Sequence, residues 1–252
     1  MSAYRLYRHI AARMVLAGAL LAAPLVGVQA ADEGPPLMQF KAEPTNAPSV
    51  QRGARDFMNY CSGCHSMKYL RYNRFGADMG VSDDLLKKNL MFTSQKVGDT
   101  IVSAMPATAK EWFGQQPPDL TLETKARGTE WVYSYLMSFY LDDKRPFGVN
   151  NLYLPNVSMP AVLGNLQGWQ VKEEAKAGEA AEETSPLKLV APGSMSPEAY
   201  QNFVTDLVNF MTYAAEPSTG DRVHTGIRVM VYLLVLLALT YALKKEFWRD
   251  IH

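Results

Sequence analysis

Cys61-Ser62-Gly63-Cys64-His65 decides the reading of this chain, because Cys-x-x-Cys-His is the spacing at which a polypeptide attaches a haem covalently. Two thiols three residues apart meet the two vinyl groups of one porphyrin. The histidine beside the second thiol then lies under the ring, where its imidazole can bind the iron, so His65 is the candidate proximal ligand. Two other chemistries use paired cysteines. A structural zinc site needs four ligands, usually completed by a second Cys or His pair, and the chain has only 2 cysteines. A thioredoxin-like dithiol leaves His65 without a role.

Outward from the motif, both ends of the chain speak of a membrane. Residues 1–30 read as a cleavable secretory signal: Arg5, Arg8 and Arg13 form a basic start, Met14 to Val28 an apolar core, and Val28-Gln29-Ala30 a small-residue cleavage site. An N-terminal anchor is the competing reading, and Pro24 in a short core speaks against it. Export would place the two cysteines in an oxidising space, where they tend to pair unless haem consumes both. A second apolar run, Val229 to Leu243, is followed by Lys244 and Lys245 and preceded by Arg222 and Arg228. The run alone is short of the ~20 residues that cross a bilayer. Arg228 and Lys244 can bury their stems and keep their charges at the interface, which extends the span to about 225–245, with Tyr232 and Trp248 suited to interfacial positions. The run is apolar on every face, unlike a helix packed on one side. The expected organisation is therefore a signal over 1–30, a haem domain over 31–220 facing the periplasm, and an anchor over 221–252 that crosses the inner membrane once and leaves a basic, cytoplasmic C-terminus.

The formal net charge of zero conceals an asymmetry. Residues 31–220 hold 17 basic and 22 acidic side chains, a net charge of −5. Such a surface is unsuited to nucleic acid but can speed association with a basic protein.

Those 190 residues can build one domain with a substantial core. Ala31 to Ser49 is an extended, proline-rich lead-in. Val50, Gly53, Ala54, Phe57 and Tyr60 then recur at helical spacing up to the haem motif. Ser196 and Pro197 supply a cap and first-turn proline for a helix presenting Tyr200, Phe203, Val204, Leu207 and Met211. These two helices are expected to cross at Gly53, with Phe57 against the Phe203/Leu207 stripe. Ser82 is expected to cap a helix over 83–90, and Thr129 a helix through Leu141 that buries Trp131, Val132, Tyr135, Leu136 and Phe139. Residues 172–184 have little complexity and no large apolar side chain, which suggests a short exposed helix or an insertion without chemistry.

Histidine bookkeeping narrows the iron chemistry. Of the 4 histidines, His9 lies in the signal, His224 at the start of the membrane span and His252 at the last position, leaving His65 alone in the domain. The second axial ligand is then a methionine, or the position is open. Met105 and Met159 both precede proline in loop-like sequence, where the backbone is restrained to extended geometry. Met159, with proline on both sides in Leu154-Pro155-Asn156-Val157-Ser158-Met159-Pro160, is favoured over Met105. A thioether raises the potential, and two filled axial positions leave no room for a substrate, so electron transfer is expected rather than a haem enzyme such as a peroxidase.

The ordered set of motifs resembles the cytochrome c1 family, the haem subunits of the ubiquinol:cytochrome c oxidoreductase (bc1) complex. It comprises the haem motif with Ser66-Met67, Tyr69-Leu70-Arg71-Tyr72, Pro117-Pro118-Asp119-Leu120, Ala126-Arg127, Asn151-Leu152-Tyr153, Ser158-Met159-Pro160 and Ala214-Ala215-Glu216-Pro217. The resemblance implies a mainly α, cytochrome c-like haem domain with loop insertions plus one C-terminal transmembrane helix. It further implies one covalent haem c on Cys61 and Cys64, with His65 and Met159 as iron ligands. Arg127 would meet a haem propionate, and the carbonyl of Pro117 or Pro118 would accept the free N–H of His65. The implied partners are cytochrome b, a Rieske iron–sulfur protein, a soluble or membrane-anchored cytochrome c and membrane lipid, within a dimeric complex whose redox subunit has no catalytic site of its own.

Overall fold

The computed structural model describes residues 35–173 and 186–249. The signal over 1–30 and most of the 172–184 segment lie outside them.

The elements run α1 (Ala47–Tyr60), β1 (Met67–Arg71), α2 (Tyr72–Met79), α3 (Asp83–Asn89), β2 (Thr100–Ile101), α4 (Ala109–Phe113), α5 (Glu123–Ala126) and α6 (Thr129–Met137). They continue through β3 (Phe139–Leu141), β4 (Val149–Asn151), α7 (Gly164–Gln167), β5 (Gly168–Lys172), β6 (Leu187–Pro192), α8 (Pro197–Ala215) and α9 (Thr219–Phe247). Among the described residues the strands form three separate antiparallel pairs, β1·β2, β3·β4 and β5·β6. The domain is therefore mainly helical, with small hairpins pinning its loops.

Its frame is the crossing of α1 and α8, and both helices start where their caps dictate. The Asn46 side chain accepts from the Ser49 amide with Pro48 in the first turn, and Ser196 Oγ accepts from the Ala199 amide at 3.2 Å with Pro197 following it. Gly53 permits the crossing. A Cβ there would lie 1.9 Å from the Asp206 carbonyl oxygen and 2.8 Å from Phe210 Cβ. That approach sets the register and corrects one expectation: the ring partner of Phe57 is Phe210, at 5.5 Å between centroids, while Phe203 meets the edge of Tyr60 at 5.5 Å. The Asp206 carboxylate, buried at the same crossing, accepts hydrogen bonds from Ser49 Oγ at 2.6 Å and from Arg52, so its charge is matched. Gly53→Ala should therefore destabilise the domain by about 2 kcal/mol or more, because overpacking here meets backbone rather than a side chain that can turn away. Denaturant unfolding checks this, and an unchanged midpoint would mean that the helices do not touch at Gly53.

Ser82 caps α3 as expected, its Oγ accepting from the Leu85 amide at 3.4 Å. The helix expected from Thr129 to Leu141 is shorter. Gly128, at φ +92°, holds the cap position without a side-chain cap, and the helix ends at Met137. Phe139, Tyr140 and Leu141 instead pair with Asn151, Asn150 and Val149. Asn151 Nδ2 donates to the Tyr135 carbonyl at 2.8 Å, so strand pairing and a side chain from β4 satisfy groups that a longer helix would have used. Lys172, expected in the exposed segment, ends a strand instead: β5 pairs with β6, Lys172 opposite Leu187.

The 29 residues of α9 have no buried side chain. At 1.5 Å per residue the helix is about 43 Å long, more than the ~30 Å of a hydrocarbon core, and it contains the expected 225–245 span. By length and composition it can cross a membrane, which fits a membrane-anchored protein.

Candidate haem-binding site

The haem motif is the turn that closes α1. The amides of Cys61 and Ser62 both bond the Phe57 carbonyl, at 2.8 and 2.9 Å, and those of Cys64 and His65 bond the Cys61 carbonyl, at 3.0 and 2.8 Å. Two tight turns in succession bring both cysteines and the imidazole to the wall of one cavity. Cys61 is buried and Cys64 half-buried. Burial pushes the Cys61 thiol up to about 12 and raises that of Cys64, so neither ionises near neutral pH.

His65 is buried, and desolvation lowers its pKa against the opposing effect of a hydrogen bond to a backbone carbonyl. That carbonyl belongs to Pro118, 2.8 Å from Nδ1. A neutral imidazole donating from Nδ1 keeps the lone pair of Nε2 for a metal. The Pro118 segment is itself fixed. Asp119 accepts from the Lys68 amide at 2.8 Å and from the Thr121 amide at 3.0 Å, and the Leu120 amide bonds the Ser66 carbonyl at 2.9 Å. In the sequence Asp119 stands only as one member of the Pro117-Pro118-Asp119-Leu120 motif, with no role of its own. Its signal was the Pro-Pro-Asp-Leu run, in which a short acceptor follows two residues that have no N–H.

Two adjoining cavities share Cys61, His65, Gln115, Pro118 and Met159 in their walls. The first, about 530 Å³ including its open mouth, is lined also by Cys64, Tyr60 and Phe113. The second, about 1140 Å³ including its open mouth, extends to Leu136, Val157, Leu207 and Arg127. Apolar walls with a few placed polar groups, on this scale, suit a large flat apolar ligand.

Met159 stands on the loop that follows β4, packed with Phe139, Val149 and Val157. The loop is held from below. Asn151 Oδ1 accepts from the amides of Tyr153 and Leu154, at 2.9 and 3.3 Å, and Asn150 Oδ1 accepts from the Asn156 amide at 2.9 Å. Asn156 takes φ +64°, a left-handed conformation that asparagine tolerates, and Arg145 closes on its side-chain and backbone oxygens at 3.1 and 2.8 Å. The Tyr135 hydroxyl donates to Met159 Sδ at 3.3 Å. The sequence offered no signal for this contact, because the partners are 24 residues apart on different elements. Met105, the other methionine before a proline, lines neither cavity; its amide bonds Ser103 Oγ at 3.0 Å, and that hydroxyl bonds the Gly63 carbonyl.

Arg127 reaches the wall of the larger cavity, its guanidinium 4.3 Å from the Trp131 ring centroid and paired with Glu123 at 2.6 Å. Both expected prolines line the smaller cavity, and Pro118 is the one whose carbonyl meets His65. His224 lines neither.

Paired un-ionised thiols, a neutral histidine with an oriented ring and a fixed thioether, all facing one apolar space on a helical domain, define the class of c-type cytochromes. The chain belongs to the Cytochrome C1 family, whose model matches residues 40–251. It is 46% identical to cytochrome c1 of Allochromatium vinosum, over 95% of this chain and 99% of that one. It is 43% identical to a Nitrosomonas europaea protein named ammonia monooxygenase gamma subunit, over 93% and 96%, and 29% identical to cytochrome c1 of Rhodospirillum rubrum, over 81% and 82%. Members of the family are electron-transport proteins that carry one covalently bound haem c, and the donor set around the cavities fits that group.

Proposed function

We propose that this chain is the haem-bearing electron carrier of a respiratory cytochrome bc1 complex, taking one electron from a Rieske iron–sulfur protein and passing it to a cytochrome c. The carrying observation is that Cys61, His65 and Met159 line one cavity while His65 Nδ1 is already engaged by Pro118. In this reading Cys61 and Cys64 would hold the haem covalently through their sulfurs. His65 Nε2 and Met159 Sδ would hold the iron, and the bound haem would supply a one-electron Fe(III)/Fe(II) couple. The Pro118 carbonyl orients His65 and increases its basicity. Arg127 offers a guanidinium to a propionate at the cavity wall. With both donors on the iron, electron transfer would be favoured over substrate chemistry, and the subunit would have no catalytic site of its own.

The haem domain would face the periplasm, with α9 crossing the inner membrane beside cytochrome b and the tail in the cytoplasm. The assembly would be dimeric, and the net charge of −5 over 31–220 suits a basic cytochrome c. Native purification from membranes is the test: cytochrome b and a Rieske protein should accompany the chain, and quinol should reduce its haem. Recovery without them, or with a monooxygenase like that named for the Nitrosomonas relative, would overturn the assignment.

If α9 only anchors, a chain ending at Thr219 should be exported, carry haem and remain soluble, with its potential close to that of the full chain. It loses the Arg222–Glu216 pair, whose arginine is exposed to solvent, a contact of little worth, and keeps α1, α8 and the cavity walls. Quinol-driven reduction of cytochrome c in membranes should fail or weaken through lost assembly. A changed spectrum in the truncated protein would show that α9 helps to build the site.

A further inference from the structure

Tyr135 is built into the site more firmly than a wall residue needs to be. Its ring is stacked on Trp131, with centroids 5.1 Å apart and planes 10° apart, and Phe139 meets it edge-on at 5.1 Å and 70°. Its carbonyl receives Asn151 Nδ2 at 2.8 Å, and Asn151 Oδ1 receives the amides of Tyr153 and Leu154 at the start of the Met159 loop. One asparagine therefore ties the helix that carries the hydroxyl to the loop that carries the sulfur. Between these two fixed ends, the hydroxyl donates to Met159 Sδ at 3.3 Å.

We infer that Tyr135 tunes the redox equilibrium of the bound haem, its hydroxyl drawing electron density from the Met159 thioether and thereby favouring the reduced state. The inference rests on Met159 being the axial ligand, as proposed above. A thioether sulfur has two lone pairs, so it can donate one to a metal while the other accepts a hydrogen bond, though weakly. Ferric iron draws on ligand donation more than ferrous iron does. Density withdrawn from sulfur therefore costs the oxidised form more, and the potential rises, as it does with other hydrogen bonds around a metal's ligands. Tyr135 is on this account a positioning and tuning residue acting through Met159.

Tyr135→Phe keeps the ring and both aromatic contacts and removes only the donor. In the full chain in native membranes, an equilibrium redox titration should show the Fe(III)/Fe(II) ratio at fixed potential rising about threefold, which is about 28 mV at ~59 mV per tenfold. The far-red sulfur-to-iron charge-transfer band of the ferric form should persist at shifted energy. Tyr133→Phe is the control, since that ring lies on the same helix but stacks on Phe40 at 4.6 Å, and it should leave both readings unchanged. Substituting 3-fluorotyrosine at position 135, a stronger donor of nearly the same shape, should move the potential the opposite way, which a loss of packing would not do. Met159→Leu separates the two layers of argument. If it leaves the band in place, the axial assignment falls and the inference with it. If it abolishes the band while Tyr135→Phe leaves the potential unmoved or raises it, the inference about Tyr135 alone is overturned.

Discussion

Replacing both thiols, Cys61→Ala with Cys64→Ala, should yield a chain to which no haem stays bound after denaturing electrophoresis. The turn closing α1 would survive, because its hydrogen bonds are backbone to backbone between 57 and 65. What disappears is the covalent link, and His65 and Met159 could then hold haem only by coordination. The second effect is on stability. Without haem, the apolar wall residues Val132 and Leu136 of α6, Leu207 and Met211 of α8, and Val157 beside Met159 lack the atoms that they should pack against. Walls that lose their packing partners lose those contacts outright, so the domain is weakened even if the site partly collapses. The double variant should therefore be cut by added protease under conditions in which the parent resists. Haem staining that survived the double substitution would remove the basis of the functional assignment.

Met159→Leu should leave a folded, haem-bearing chain with altered iron. Leucine is close in volume to methionine, so the cluster with Phe139, Val149 and Val157 stays filled, but no sulfur remains to donate. The far-red charge-transfer band should vanish, and the potential should fall by on the order of 0.1 V, within the ~0.8 V over which axial ligands move haem potentials. The ferric form should also begin to bind small ligands such as cyanide readily. Met105→Leu should do none of this, since Met105 lines neither cavity. The opposite pattern, with Met105→Leu abolishing the band and Met159→Leu sparing it, would place the ligand on the wrong loop.

The parts of this structure that were legible in the sequence are those in which local chemistry decides. Capping residues at Asn46, Ser82 and Ser196 start helices, and in the Ser82 and Ser196 cases the sequence reading named them. Gly53 marked a close approach because a glycine inside an apolar helical stripe otherwise costs stability. The haem motif and the long apolar run of α9 each carry their meaning in one stretch of chain. Where the sequence misled, long-range pairing had overridden local pattern. The apolar spacing of Trp131, Tyr135 and Phe139 continues past Met137, yet the backbone turns there into β3 because β4 offers both a ladder and the Asn151 side chain. The ring partner of Phe57 likewise depended on the axial offset between α1 and α8, which no spacing within either helix records. Within the site, Pro118 could be named only as one of two prolines until the carbonyl that faces His65 was seen. Tyr135 read as one more core aromatic, since nothing about its position on α6 indicates a sulfur above its hydroxyl.

The most direct test of the central claim is the mass of one peptide. Trypsin cuts after Arg55 and Lys68 and releases residues 56–68, which contain Cys61, Cys64 and His65. From protein purified out of membranes and denatured without reductant, this peptide should carry the added mass of one intact haem on its two cysteines, and should absorb as a ferrohaemochrome in alkaline pyridine with dithionite. A peptide with the bare mass of two thiols, or one lighter by the two hydrogens of a disulfide, would contradict the account.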